Sequence, residues 1–260
     1  MSYSTLLLKF DGAVATLTLN RPDKRNALSA TLIAELLRAL DEIEASRAQI
    51  AILTGAGKAF CAGMDLEMLQ GLAARTHAEN LEDSRQMARM FRRIYEFPKP
   101  LLAAVNGAAV AGGCGIATLC DFTLAAPEAK FGYTEVKIGF IPAIVSVFLL
   151  RMTGEKRARD LLLTGRLFDA PEAHALGLVT EIVPAGKLMV RAQEFAKSLL
   201  GVSPTSLLRT KKLLRDFYAA GLDHQLALAV EANAAIRATA DFKEGLASFL
   251  EKRPPRWSGQ

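Results

Sequence analysis

The first 55 residues alternate between strand-like and helix-like hydrophobic patterns. Residues 13–19 read AVATLTL, in which β-branched side chains nearly alternate and predict a strand. Ser29 is a candidate N-cap for a helix with one apolar stripe, and residues 50–54 form a second apolar run. Further strands are predicted at 101–105 and 122–125. Strands separated by helices pair in parallel, so this order predicts an α/β fold.

The last 60 residues contain helical patterns only. Ser203-Pro204 combines an N-cap residue with a proline at the first helical position, which is typical of a helix start. Two more helices are predicted at 223–238 and 241–252. We therefore expect an α/β core over residues 1–200 and a helical region over residues 201–260 that packs on it.

Length and composition describe a chain that can bury a large core. The 260 residues are 51% hydrophobic and 23% charged, a balance that excludes disordered and disulfide-rich classes. The most apolar stretch, residues 138–150, is too short to span a membrane and contains Gly139 and Pro142. We therefore expect no membrane association.

Cysteine and histidine usage argues against a metal centre. The three cysteines lack Cys-x-x-Cys spacing and the three histidines lie far apart, so neither type forms a ligand pattern. An odd number of cysteines suits a reducing compartment, and the first ten residues have no basic segment or cleavage-type site. These features predict a cytoplasmic protein without a bound metal.

Two segments of small residues could present main-chain N–H groups to a ligand. In residues 60–66, a turn after the 50–54 strand, Gly63 lets the backbone approach a ligand while the N–H of Met64 points into a cleft. A simple tight loop is the alternative. In residues 105–115, a strand leads through residues with almost no side chains into a helix, whose exposed N-terminus stabilises negative charge. Close packing of that helix on a sheet is the alternative.

If the N–H groups of Met64 and Gly112 converge, they form an oxyanion hole in which each donor stabilises the transition state by about 3–4 kcal/mol. Enolate formation from a thioester needs such a pocket, because the carbonyl oxygen gains charge as a proton moves at Cα. Glu135 is the candidate acid–base residue, since Phe131 and Tyr133 precede it and Val136, Ile138 and Phe140 follow it, and burial among them would raise its pKa. A surface glutamate paired with Lys137 is the alternative.

Short motifs occur in one order along nearly the whole chain. They are NRP at 20–22, RNAL at 25–28, AFCAGMDL at 59–66, KP at 99–100, NG at 106–107, GGC at 112–114, CD at 120–121, FG at 131–132, Glu135, IP at 141–142, LTG at 163–165, ALGLV at 175–179 and EKR at 251–253. Together they resemble the crotonase family, also called the enoyl-CoA hydratase/isomerase family. The resemblance implies a spiral of ββα units with a C-terminal helical trimerisation region that also packs on neighbouring subunits.

The resemblance also implies a role for each matching position. Met64 and Gly112 match the oxyanion-hole donors, and Glu135 matches an acid–base glutamate. Contacts to the adenine and pantetheine parts of coenzyme A are matched by Arg25, Ala27, Leu28, Ala62, Asp65 and Leu66, while Lys252 lies near the phosphate contacts. A coenzyme A thioester is then the substrate, with no further cofactor, and a net charge of +5 suits this polyanion. The implied assembly is a homotrimer or a dimer of trimers.

The chain departs from the family pattern at Gly115, where hydratases typically carry a first glutamate. Glu135 alone would serve both halves of hydration through one held water. We expect hydration of a 2-enoyl-CoA. The alternative is migration of the double bond of a 3-enoyl-CoA, which needs a single carboxylate, and a further alternative is a non-catalytic protein that binds acyl-CoA or RNA. Residues 143–147 replace a usual glycine-rich stretch with bulkier side chains and could reshape the acyl pocket.

Overall fold

Two sheets form the frame of the computed structural model, which describes residues 3–259. Its strands are β1 (Leu6–Asp11), β2 (Val14–Leu19), β3 (Ile50–Gly55), β4 (Ala59–Cys61), β5 (Leu101–Val105), β6 (Ala108–Val110), β7 (Phe122–Ala125), β8 (Lys130–Gly132), β9 (Leu167–Asp169) and β10 (Glu181–Ile182). The larger sheet has the order β1-β2-β3-β5-β7-β10, and the smaller sheet has the order β4-β6-β8-β9.

Parallel pairing dominates the larger sheet. Only its β1–β2 hairpin is antiparallel, while β2, β3, β5, β7 and β10 all pair in parallel. The four strands predicted from the sequence are confirmed as β2, β3, β5 and β7. The sequence pattern missed β1, β10 and the strands of the smaller sheet. Each strand of the smaller sheet has three residues and β10 has two, so they show no periodicity.

Each turn of the spiral places a strand of the larger sheet, a short strand of the smaller sheet and then a helix in succession. The helices are α1 (Ala30–Ala45), α2 (Leu66–Leu72), α3 (His77–Tyr95), α4 (Gly112–Leu119), α5 (Ala143–Thr153), α6 (Glu155–Thr164), α7 (Ala170–Ala175), α8 (Leu188–Leu200), α9 (Pro204–Phe217), α10 (Leu222–Ala235) and α11 (Ala240–Glu251). The unit β3-β4-α2 is followed by β5-β6-α4, so the predicted spiral of ββα units is confirmed.

The chain turns sharply between the two sheets at closely packed glycines. A Cβ on Gly107, between β5 and β6, would lie 2.1 Å from the carbonyl oxygen of Lys58. Only glycine allows that approach. The segment 60–66 was expected to be a turn throughout, which is wrong for its first residues: Ala59–Cys61 forms β4, which pairs with β6, and the turn follows it. The pairing of two distant short strands therefore decides this local structure.

Helix boundaries follow the predicted caps. The Ser29 side chain accepts a hydrogen bond from the N–H of Leu32 at the start of α1, and the Ser203 side chain accepts one from the N–H of Ser206 at the start of α9. The C-terminal 60 residues form three helices among the described residues, as predicted. The division at residue 200 stays a prediction.

The most apolar stretch of the sequence is broken into separate elements. A 3₁₀ turn at Glu135–Ile138 ends at Gly139, and α5 begins only at Ala143. Within residues 3–259, no helix has both the length and the apolar character needed to cross a membrane.

Candidate active site

One cavity of about 360 Å³ collects the residues that the sequence singled out. Every predicted site residue except Lys252 lines it: Arg25, Ala27, Leu28, Ala62, Met64, Asp65, Leu66, Gly112 and Glu135. These residues come from the loop after β2, the loop after β4, the start of α4 and the 3₁₀ turn after β8. The cavity therefore lies where successive turns of the spiral meet.

Backbone pairing sets the position of Met64. The N–H of Leu28 donates to the Gly63 carbonyl at 2.7 Å, and the N–H of Asp65 donates to the Leu28 carbonyl at 2.9 Å. These two bonds leave the intervening N–H of Met64 without a backbone acceptor in the described chain. Met64 thus contributes a free donor to the cavity wall.

The start of α4 supplies a second free donor at Gly112. Ala111 has φ +50° and ψ −125°, a strained conformation for a residue with a side chain, and its N–H donates to the Gly132 carbonyl at 2.7 Å. The N–H of Gly112 is an orphan of the first helical turn with no hydrogen-bond acceptor in the described chain, and Gly112 lines the cavity. The helix N-terminus adds positive potential there.

The loops that carry the two donors touch each other. A Cβ built on Gly63 would lie 3.7 Å from the Gly112 nitrogen and 3.0 Å from the Ala111 Cβ. Both Met64 and Gly112 line the same cavity. Two main-chain donors that are far apart in sequence are therefore neighbours, as an oxyanion hole requires.

Glu135 lines the same cavity as this pair of donors. Its Oε2 atom is buried and has no hydrogen-bond partner among residues 3–259. Burial raises the pKa of its carboxyl to about 7. The ion pairs of the described chain include none between Glu135 and Lys137, so the surface alternative is wrong. An unpaired carboxyl with this pKa can both accept and donate a proton near neutral pH.

Packing excludes a second carboxylate at position 115. A Cβ on Gly115 would lie 2.6 Å from Val145 Cγ1 and 2.8 Å from Phe91 Cε1. Of the residues at 143–147, Ala143, Ile144 and Val145 line the cavity together with Phe91. The room for a first glutamate is filled by apolar side chains.

Glu67, Glu82 and Asp83 do not replace the missing glutamate. Glu67 is exposed and lies 3.2 Å from Lys24, and Glu82 pairs with Arg85 on the surface. Asp83 is held by Arg237 at 2.9 Å and does not line the cavity. Glu135 is therefore the cavity residue with a buried, unpaired carboxyl oxygen that could act as an acid or base.

Asp65 has a structural role that the sequence did not reveal. It is buried, lies 2.7 Å from Arg21 Nη1, and caps α2 by accepting from the Glu67 N–H. Arg21 Nη1 also donates to the Ala27 carbonyl at 2.6 Å. Arg21 thus clamps the loop after β2 to the Met64 loop, and only its place in the NRP motif signalled it.

Lys252 does not lie on the cavity. It follows the last turn of α11 in a left-handed conformation and is exposed, whereas Phe249, one turn earlier, lines the cavity. Basic groups at the cavity come instead from Lys24 and Arg25. A phosphate contact for Lys252 stays a prediction.

Two free amides and an unpaired carboxyl on one cavity, within a spiral of ββα units, are the features that enolate chemistry requires. The sequence model of the family described as enoyl-CoA hydratase/isomerase matches residues 9–260. The chain belongs to the enoyl-CoA hydratase/isomerase family.

Individual relatives agree with this assignment. The chain is 50% identical over 247 residues to a Thermus thermophilus protein named "Putative enoyl-CoA hydratase", covering 95% of this chain and 98% of the relative. It is 34% identical to the crotonyl-CoA hydratase of Syntrophomonas wolfei, with 97% of each chain covered. An enoyl-CoA hydratase structure from Mycobacterium avium superposes with a TM-score of 0.88 at 31% identity, covering 99% of this chain and 100% of that one.

Proposed function

We propose that this protein is an enoyl-CoA hydratase that adds water to a 2-enoyl-CoA. The observation that carries the proposal is the unpaired, buried Oε2 of Glu135 in the cavity lined by Met64 and Gly112. Relatives named as enoyl-CoA hydratases, at up to 50% identity among those compared, support it. The substrate is the coenzyme A thioester itself, and no additional cofactor takes part.

In this mechanism the thioester oxygen accepts hydrogen bonds from the N–H groups of Met64 and Gly112. The Glu135 carboxylate takes a proton from a water molecule as the water oxygen bonds to Cβ, and the electron pair of the double bond moves onto the thioester oxygen. The enolate then collapses and Cα receives the proton from Glu135. One carboxyl thus takes and returns the same proton, which suits a pKa of about 7.

Coenzyme A recognition is assigned to the opposite end of the cavity from the acyl group. The adenine and pantetheine parts would contact five residues that line the cavity, namely Arg25, Ala27, Leu28, Ala62 and Leu66. Asp65 would hold the loops in place. Lys24, Arg25 and, outside the cavity, Lys252 are the basic groups proposed to meet the phosphates.

Isomerisation of a 3-enoyl-CoA is the second candidate, and the packing at Gly115 favours it. Because Val145 and Phe91 fill the room for an acid at position 115, Glu135 would act alone, and moving a proton from Cα to Cγ needs no more than one carboxylate. The same two amides would hold the dienolate.

The test is to measure hydration of crotonyl-CoA and isomerisation of 3-hexenoyl-CoA with the wild type and E135Q. We expect hydration to exceed isomerisation, and E135Q to lower kcat by about 10²–10⁴ because it removes the acid–base group. E82Q, on the outer surface of α3, is the matched control and should retain full activity. Dominant isomerisation would select the second candidate, and an active E135Q would remove Glu135 from the mechanism.

The assembly proposed for the enzyme is a homotrimer or a dimer of trimers in the cytoplasm. Support for assembly comes from α9, which buries none of its residues in the chain and exposes Leu213, Leu214 and Phe217. Support for a reducing location comes from Cys61, Cys114 and Cys120, which are all buried free thiols.

A further inference from the structure

A polar side chain of α10 lies in the otherwise apolar end of the cavity. Asn233 is 6% exposed and lines the cavity together with Met87, Phe91 and Phe140. Its Oδ1 accepts a hydrogen bond from Arg237 Nη2 at 2.8 Å and lies 2.8 Å from Ser84 Oγ. These elements are separate from the loop that carries Lys24 and Arg25, so Asn233 belongs to the acyl end.

The contact with Arg237 determines which way the Asn233 amide faces. A guanidinium only donates hydrogen bonds, so the atom that meets it must be the amide oxygen. The amide nitrogen Nδ2 then lies on the other side of the group, and it has no hydrogen-bond partner among the described residues. Asn233 lines the cavity, so this donor can meet a bound molecule, and a ligand that excludes water from the cavity without offering an acceptor would leave the donor unpaired at a cost.

The charges behind this wall favour an electron-rich partner. Arg237 is fully buried, and its Nη1 lies 2.9 Å from Asp83 Oδ2, while Arg75 lies 3.2 Å from the other oxygen of Asp83. Two guanidinium groups share this carboxylate, and Arg237 is the one that contacts Asn233. Arg237 also lies 5.7 Å from the centre of the Phe140 ring that lines the cavity.

We propose that the acyl group of the natural substrate carries an oxygen acceptor, a carbonyl or a carboxylate, at its end away from the thioester, and that Asn233 Nδ2 donates to it. The proposal rests on the acyl-CoA function proposed above and adds its substrate class. A plain alkyl chain would leave Nδ2 unpaired in a dry pocket, which gives the site a means of discrimination.

The experiment compares kcat/KM for 2-enoyl-CoA substrates of equal chain length that end in a methyl group, a methyl ketone or a carboxylate. We expect the wild type to prefer an oxygenated chain by about tenfold at the best length. Preference for the carboxylate over the ketone would identify the charge of the Arg237 cluster as part of recognition. Equal kcat/KM values across the series at every length would overturn the proposal.

N233D tests the residue itself. Aspartate has the shape of asparagine and can still accept from Arg237, but it replaces the donor that faces the cavity with an acceptor. The ratio of kcat/KM for oxygenated over plain chains should fall about tenfold, and more for the carboxylate. S84A, which removes the other contact to Oδ1 outside the cavity, should leave the ratio unchanged. An unchanged ratio in N233D would refute the role of Asn233.

Failure of this inference is distinguishable from failure of the proposed function. A wild type that turns over no 2-enoyl or 3-enoyl thioester contradicts the function. Turnover without preference contradicts only the inference. If thermal unfolding shows that N233D does not fold, the wild-type substrate series still decides the matter.

Discussion

At the scale of single residues, the chemistry depends on the surroundings of Glu135. Burial raises the pKa of its carboxyl to about 7, and its Oε2 has no partner in the described chain. Both protonation states are then populated at neutral pH. A group that must first take and then return a proton needs both states to be accessible.

The rate of hydration should therefore depend on pH through Glu135. The attacking water needs the carboxylate form, so we expect kcat/KM to fall about tenfold per pH unit below about 7 and to level off above it. The check is the initial rate of crotonyl-CoA hydration from pH 5.5 to 9. A profile that stays flat down to pH 5.5 would contradict the raised pKa.

The same raised pKa has a thermodynamic consequence. The folded-state pKa of about 7 lies above the ordinary value of 4.5, so the free energy of unfolding falls as the pH rises between these values. E135Q lacks this loss of unfolding free energy. It should therefore be more stable than the wild type by on the order of 3 kcal/mol at pH 8, and no more stable at pH 4. Thermal unfolding of both proteins at the two pH values measures the difference.

The N–H of Gly112 can also be tested at the scale of single residues. G112P deletes this donor at the first position of α4, where a helix tolerates proline. We expect kcat to fall by about 10²–10³, with a much smaller change in thioester binding. G112A keeps the N–H and adds a methyl group 3.1 Å from Leu28 Cδ1, so it isolates the effect of crowding. Equal losses of binding and turnover in G112P would mean that the local backbone had collapsed.

At the scale of elements, buried polar contacts hold the first strand against the first helix. Glu35 of α1 accepts hydrogen bonds from the N–H groups of Ser4 and Thr5, at 2.9 and 2.8 Å, and from both hydroxyls. Burial alone would raise the pKa of Glu35, but these four hydrogen bonds outweigh it and lower the pKa to about 2.

Glu35 should therefore stabilise the protein in a way that acid removes. Its contribution is complete above the unfolded-state pKa and is lost as the pH falls from about 4.5 to about 2. We expect E35Q to lower the free energy of unfolding at pH 7 by on the order of 3 kcal/mol, and the gap to close near pH 2. Urea unfolding of E35Q and the wild type at both pH values measures this difference in the free energy of unfolding. E155Q, at an exposed pair on α6, should change stability by less than about 1 kcal/mol.

At the scale of the whole molecule, α9 is a helix with no residue buried by the rest of the described chain. Its apolar residues include Leu213, Leu214 and Phe217, which are 53%, 56% and 66% exposed. A surface of this kind is typical of contact with another chain. The cavity and α9 lie in different parts of the molecule, so assembly and chemistry can be tested separately.

Assembly through α9 predicts a native mass of three or six times 28.0 kDa. F217K and L213K together should shift the mass toward that of a single chain, because two buried lysines would oppose association. Sedimentation equilibrium measures this. V190K, which changes an exposed apolar residue of α8, is the control and should leave the mass unchanged. A wild type that sediments as one chain would contradict the proposed assembly.

Much of the fold and half of the site could be predicted from local sequence. The strands at 101–105 and 122–125, the Ser29 and Ser203 caps and the three C-terminal helices follow from side-chain periodicity and capping chemistry. Glu135 stood out because its neighbours are apolar. These features depend on residues close together in the chain, and such residues determine local conformation.

Only the tertiary structure decided which distant groups meet. Pairing of Leu28 with the Met64 loop and contact of that loop with Ala111 bring the two free amides together. Val145 and Phe91 close the space at Gly115, and Asn233, in an alanine-rich stretch of α10, reaches the cavity. Lys252, which directly follows the helix that contributes Phe249, does not reach the cavity. Long-range packing sets these distances, and no local pattern encodes them, because each depends on side chains from several turns of the spiral.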